Sequence, residues 1–184
     1  MCATYVLSEK DNEEIAQILS DIENRLGEKV GTGDIFPKNE APVLLGDGPR
    51  LMLWGFPGYK GEGSVVYNAR SETAFEKTMF GDSMKNRRCV IPATAFYEWS
   101  KSKKKYRFRR SDGKALYFGG CFKEFRGVYR YTILTRDADG AVSPVHHRMP
   151  VILQKEDLDA WFKDSEEASR LLTTAQPELE SESA

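Results

Sequence analysis

Apolar residues recur at helical spacing in only a few parts of the chain. Within residues 9–26, Ile15, Ile18, Leu19, Ile22 and Leu26 form one stripe, with Ser8 placed to cap the start and Gly27 to end it; this pattern predicts an amphipathic helix. A second helix is predicted after Ser71, with Ala74, Phe75 and Met79 turned inward, and two short ones over 155–163 and 165–172. Elsewhere the pattern is that of strands. Residues 3–7, 89–91, 95–99, 106–109, 116–122, 129–134 and 151–153 are rich in aromatic and β-branched side chains and are bounded by turn residues. Between Gly31 and Pro57 the density of Gly and Pro leaves room only for short strands such as 43–45 and 51–54. Strands and helices do not alternate, so a doubly wound parallel sheet is excluded as the expectation. The expected fold is one α+β domain over residues 1–175, with a largely antiparallel, barrel-like sheet and a few peripheral helices. Residues 176–184, small and acidic, are expected to be a disordered tail.

Charge changes this picture. The 184 residues carry 27 Lys and Arg against 28 Asp and Glu, a formal net charge of −1, which as a total argues against a strongly basic nucleic-acid binder. The distribution is uneven: residues 1–50 have 5 basic and 10 acidic side chains, 51–148 have 19 and 9, and 149–184 have 3 and 9. A basic middle between acidic flanks points to a polyanionic partner met on one face, with the flanks expected on the opposite side. No apolar run approaches the ~20 residues that span a bilayer, and the N-terminus lacks the design of a secretory signal. Cys2, Cys89 and Cys121 are odd in number and widely spaced, which gives neither a disulfide framework nor zinc-ligand spacing. A reducing, cytoplasmic setting is expected, nucleoid-associated if the source is bacterial.

Four short segments could carry chemistry. Removal of Met1 would leave Cys2 with a free α-amine, of reference pKa ~7.7–8.0, beside a thiol at ~8.5. A 1,2-aminothiol condenses with an aldehyde to an imine and then closes a thiazolidine; alternatively, Cys2 is a small residue starting a strand. Asn68-Ala69-Arg70-Ser71-Glu72 turns from strand into helix. There Arg70 and the helix start suit a phosphate and Asn68 can orient a nucleophile, unless Arg70 merely pairs with a carboxylate. Glu98 stands among Ala95, Phe96, Tyr97 and Trp99. Buried, it would have a raised pKa fit for acid–base work; on an edge strand it would face water. His146 and His147, the only histidines, are adjacent on an extended segment and so are ill placed to share a metal. One of them can transfer a proton, with Arg148 near a phosphate, or both can be surface residues. Residues 101–110 hold seven positive side chains interleaved with Tyr106 and Phe108, which fits single-stranded nucleic acid but also a solvated hairpin.

In order along residues 2 to about 163, these pieces resemble the SRAP family, the SOS-response-associated peptidase domain. The resemblance rests on Met1-Cys2, Trp54-Gly55, Asn68-Ala69-Arg70-Ser71-Glu72, Arg88-Cys89-Val90-Ile91-Pro92-Ala93, Phe96-Tyr97-Glu98-Trp99, Thr132-Ile133-Leu134-Thr135, and the run from His146-His147-Arg148-Met149-Pro150 to Val151-Ile152-Leu153. It implies recognition of abasic sites in single-stranded DNA and covalent attachment through Cys2, with no cofactor, no metal and no membrane. It also implies catalytic roles for Cys2, Asn68, Glu98 and His146, and DNA contacts from Trp54, Arg70, Arg88 and Arg148. In that scheme the Cys2 amine attacks the C1′ aldehyde, Glu98 shuttles protons, His146 assists sugar ring opening and the thiol closes the ring. The family usually opens Met-Cys-Gly-Arg, whereas this chain has Ala3-Thr4, so a basic contact is expected to come instead from 101–110. The family's Pro-x-Trp segment is replaced by Phe56-Pro57-Gly58-Tyr59, and His147 stands where a polar or acidic residue is common. Two other functions fit the same residues. One is a cysteine peptidase using Cys2, His146 and Glu98, for which self-cleavage has only Met1 to release. The other is a non-covalent single-stranded DNA-binding module.

Overall fold

The computed structural model describes every residue except Met1, Lys60 and Glu62. Its first strand, β1 (Tyr5–Leu7), is followed by α1 (Glu13–Leu26). This helix starts four residues later than its apolar stripe suggests, because Asn12 rather than Ser8 caps it: the Asn12 side chain accepts from the Ile15 amide. Gly27 ends it as expected, left-handed at φ 74° with its N–H on the Glu23 carbonyl. Four strands follow, β2 (Gly33–Ile35), β3 (Glu40–Leu45), β4 (Gly48–Trp54) and β5 (Phe56–Pro57), and then β6 (Val65–Val66) and β7 (Asn68–Arg70). The expected second helix is two short ones, α2 (Ser71–Ala74) and α3 (Gly81–Asn86).

The long strands come next: β8 (Arg88–Ala93), β9 (Ala95–Trp99), β10 (Lys105–Arg110), β11 (Leu116–Phe125) and β12 (Val128–Asp137). β13 (Arg148–Pro150) lies just before the apolar run 151–153, of which only Ile152 forms a bridge, to Phe118. A single 3-10 turn at Lys155–Asp157 leads into α4 (Leu158–Lys163), and α5 (Ser165–Leu171) follows. The last residues are a correction: the segment expected to be disordered forms β14 (Leu179–Ser183), paired antiparallel with β10.

β11, β8, β3, β4 and β12 hydrogen-bond in that order, and β12 pairs back with β11, which closes a five-stranded barrel. Its pairings are antiparallel except β4 with β12, and β7 and β13 extend it along β12. Closure leaves no open edge within the ring. Where β11 turns tightly against its neighbours it needs Gly120, since a Cβ there would fall 2.6 Å from both the Thr132 carbonyl oxygen and Ile91. A second antiparallel sheet, ordered β14, β10, β9, β1, β2, packs on the barrel. Tyr5, Phe96, Phe108 and Phe118 are fully buried among edge-to-face and stacked ring contacts. The α+β, barrel-like architecture is therefore the one the sequence pattern indicates.

Two residues assigned to DNA contact belong to this scaffold instead. Trp54 is completely buried, parallel to Tyr131 and edge-on to Tyr5, and its indole N–H donates to the Tyr67 carbonyl at 2.8 Å. It has no face left for a base. Arg88 is also buried: its guanidinium donates to the carbonyls of Trp161 (2.5 Å), Met84 (2.6 Å), Lys85 (2.9 Å) and Phe162 (3.2 Å), and to the Ser165 hydroxyl (2.8 Å). These carbonyls lie in the last turns of α3 and α4, which would otherwise leave unpaired acceptors. Arg88→Met is accordingly expected to destabilise the fold by on the order of 3 kcal/mol, read as a lower urea midpoint, with DNA affinity unchanged under native conditions. A variant as stable as the parent would contradict this role.

Candidate active site

β1 is short because its job is positional: Tyr5 and Val6 pair with Phe96 and Ala95 of β9, and the Tyr97 amide donates to the Thr4 carbonyl. This carries Cys2 inward to zero exposure, beside the barrel. The N-terminal segment thus folds back onto the basic stretch of the chain, as the charge argument requires. From the barrel side, Asn68 on β7 reaches across and its Nδ2 donates to the Cys2 carbonyl at 2.8 Å. The other side-chain atom, Asn68 Oδ1, is buried and has no hydrogen-bond partner among the described residues, so an acceptor is available next to Cys2.

Pairing register decides the direction of Glu98. It lies opposite Tyr106, and its strand neighbours Tyr97 and Trp99 lie opposite Arg107 and Lys105 on the outer face. Glu98 therefore points inward and is 2 % exposed, which settles the choice between a buried carboxyl and a solvated edge. Burial disfavours the carboxylate and pushes its pKa up to about 7. The same burial, aided by Glu98, pushes the Cys2 thiol far above its ordinary range, so the thiol is neutral at physiological pH. His146 Nδ1 stands 3.8 Å from Glu98 Oε2 and 3.0 Å from both the amide nitrogen and the carbonyl oxygen of Arg148. Burial lowers the His146 pKa, which favours the neutral ring. Cys2, Asn68, Glu98 and His146, far apart in sequence, are thus brought to one place.

The arginines divide. Arg70 is exposed beside this centre and makes no ion pair with any described residue, which leaves it available to a phosphate. Arg148 is not available: 4 % exposed, it is held bidentate by Glu72 (2.6 and 2.9 Å), by Asp137 (2.6 Å) and by the Thr135 carbonyl (2.6 Å). Its backbone, rather than its charge, faces His146, so it positions that ring. His147 is exposed and its ring packs on His146 with centroids 4.5 Å apart.

Two clefts flank the centre and hold residues that sequence reasoning passed over. One of about 250 Å³ is lined by Gly58, Tyr59, Val66, Tyr67 and Asn68; the other, of about 660 Å³, by Trp99, Lys101, Pro144, His146 and His147. Tyr59 is 84 % and Trp99 38 % exposed, so these two, and not Trp54, present exposed rings in the clefts beside the centre. Their signal was present: each adjoins a motif, Tyr59 where the Pro-x-Trp segment is replaced and Trp99 directly after Glu98. Thr4, in place of the usual basic residue, is buried at 3 %.

The fold and this centre define a class: a small closed barrel with a buried cysteine at position 2, backed by an amide, a near-neutral carboxyl and a histidine. The sequence profile of the SOS response associated peptidase (SRAP) family matches residues 1–183, and the chain belongs to that family. It is 30 % identical over 179 residues to "Abasic site processing protein YoqW" of Bacillus subtilis, covering 88 % of this chain and 80 % of the relative. It is 25 % identical over 178 residues to YedK of Escherichia coli, with 89 % and 80 % covered, and 30 % identical over 150 residues to HMCES of Gallus gallus, with 59 % and 42 % covered; both carry the same abasic-site name. A solved structure from Bordetella bronchiseptica shares the fold at TM-score 0.78 and 22 % identity, covering 100 % of this chain and 99 % of the other. One from Bacteroides thetaiotaomicron does so at 0.74 and 19 %, covering 98 % and 90 %.

The raised Glu98 pKa has a consequence for stability. Between the unfolded carboxyl value near ~4.3 and about 7, the folded chain binds more protons than the unfolded one, so stability falls as pH rises through this window. Glu98→Gln is expected to flatten that slope and to gain stability relative to the parent above pH 7, measured by urea unfolding from pH 5 to 8. Parallel profiles would show that Glu98 ionises as an ordinary carboxyl.

Proposed function

We propose that the protein recognises abasic sites in single-stranded DNA and attaches to them covalently through Cys2, forming a thiazolidine that shields the lesion. The observation that carries this reading is the grip of Asn68 on the Cys2 carbonyl beside a carboxyl of near-neutral pKa. Its relatives' names support abasic DNA as the substrate.

The chemistry follows from which nucleophile is ready. A thiol that burial keeps protonated is a poor first nucleophile, whereas an α-amine with a reference pKa of ~7.7–8.0 is partly neutral at pH 7. Met1 must be removed to expose that amine, and it lies outside the described residues. His146 takes a proton from the acid form of nearby Glu98 and passes it to the ring oxygen of the abasic sugar, while the C1′ hydroxyl proton returns to Glu98 and the ring opens to the aldehyde. The amine then adds to C1′, forming a carbinolamine. Glu98 in its acid form protonates the departing hydroxyl, which leaves as water and gives the imine. The Cys2 sulfur next adds to the imine carbon; its proton passes by way of Glu98 to the nitrogen, and the five-membered ring closes. One carboxyl must both give and take a proton in this sequence, and a pKa of about 7 lets it do both.

Arg70 holds the backbone near the lesion, and Tyr59 and Trp99 stack bases on either side. A peptidase would need a Cys2 thiolate, which the buried thiol resists.

Cys2→Ala is expected to abolish a boiling- and detergent-resistant adduct with an abasic oligonucleotide; an adduct of parental yield would overturn the assignment. Acetylating the Cys2 amine is expected to abolish it too, whereas a thiol peptidase would keep its activity. Arg70→Ala is expected to weaken binding of abasic and intact strands alike by about tenfold and to lower the salt slope by ~0.7; an effect confined to abasic DNA would contradict a phosphate role.

A further inference from the structure

The segment 101–110 is the most basic of the chain, and the structure divides it in two. Lys101, Lys103 and Lys104 are exposed at the turn between β9 and β10. Past the turn, Lys105, Arg107 and Arg109 alternate outward along β10, while Phe108 and Arg110 turn inward. Register places Lys105 opposite Trp99 and Arg107 opposite Tyr97, so the outer face of the two strands is a row of cations beside a row of rings. The Lys105 ammonium sits 3.6 Å from the centroid of Tyr97. Cations on one face of a strand recur every two residues, about 6.7 Å, a spacing suited to successive phosphates of an extended strand.

The acidic end of the chain flanks this row at the edge of the same sheet. β14 pairs with β10 so that Glu182 lies opposite Arg107 and Glu180 opposite Arg109. Arg109 Nε bonds Glu180 at 2.5 Å; Arg107 bonds Glu182 at 3.0 Å and Asp11 at 3.2 Å. This end of the acidic flank therefore does not sit opposite the basic stretch, as its segregation in sequence suggests, but beside it in one sheet, where alternating Glu and Ser match alternating Arg. Besides these ion pairs, the backbone ladder to β10 and the Ser111 bonds to the Glu178 carbonyl hold it, with little side-chain packing. Leu179 is the only β14 residue packed on the core, and the other four are exposed. Exposed ion pairs add little to stability and are screened by salt.

The row is also continuous with the active site. Trp99 lines the cleft that His146 and His147 share and stands at the head of the outer face. We propose that the outer face of β9 and β10, from Trp99 through Lys105 and Arg107 to Arg109, is a track for single-stranded DNA leaving the abasic site, and that β14 is a strap whose glutamates occupy its phosphate positions until the strand displaces them. The track extends the reading that this site takes single-stranded DNA. The strap makes tight engagement depend on a strand long enough to reach from the lesion to Arg109.

The test uses the full chain and a labelled intact oligonucleotide, without an abasic site, followed by fluorescence anisotropy across a salt series. The double substitution E180Q/E182Q is expected to lower Kd five- to tenfold at low salt and to steepen the log–log salt slope by about 1.4, two contacts at ~0.7 each. Equal or weaker binding would overturn the strap. Should that variant not fold, hydrogen exchange of the parent decides: the amides of Leu179–Ser183 are expected to lose protection on saturation with the intact strand, and unchanged or increased protection refutes the proposal. Failure of the parent to crosslink an abasic strand would count against the Cys2 chemistry and leave these two readouts intact.

Discussion

The aminothiol chemistry proposed for Cys2 needs that residue held still, and a hydrogen bond from Asn68 is one of its two tethers. Asn68 Nδ2 to the Cys2 carbonyl joins the N-terminal segment to the barrel at a point where the chain would otherwise be tethered on one side alone. The other tether is β1, pinned between β2 and β9. Because β9 also carries Glu98, the strand that locates the proposed nucleophile is hydrogen-bonded to the strand that locates the proposed proton carrier. Distances between the two are thereby fixed by backbone pairing, which is what the proposed reaction would require.

Burial then sets the chemistry. The enclosure that excludes water from Cys2 raises its thiol and the Glu98 carboxyl together and lowers His146. One physical cause thus keeps the thiol protonated, which disfavours a thiolate-first reaction and fits the amine-first reaction proposed above. Arg148 shows how the surroundings are kept from interfering. Its charge is consumed by Glu72 and Asp137, so it steadies His146 through its backbone without adding a free cation that would hold Glu98 ionised.

Much of this was legible in the sequence, and the reasons for the rest are specific. Three of the central four residues stood out because their types are odd for their positions: a cysteine next to the start, a glutamate among aromatics, paired histidines before a strand. Whether Glu98 faced inward was open, since alternation fixes which residues share a face but not which face is buried. Trp54 and Arg88 were misplaced because a motif marks a position without saying whether it serves the ligand or the scaffold. Both turned out to satisfy buried carbonyls. The acidic end read as disordered because composition alone counts its charges and omits their partners; the arginines that order it lie some 70 residues away in β10. The α1 start moved to Asn12 because a side chain able to accept from the first turn outranks the apolar stripe in fixing a helix end.

The central claim is that Cys2 joins DNA through both its nitrogen and its sulfur. Intact-mass and peptide-mapping mass spectrometry of the detergent-denatured product with an abasic oligonucleotide tests it most directly. The account predicts a product equal to the protein lacking Met1 plus the oligonucleotide minus one water, localised to Cys2, formed without added reductant and with no free thiol at that residue. An adduct on another residue, or one at Cys2 that survives only after borohydride reduction and leaves the thiol open to alkylation, would contradict it.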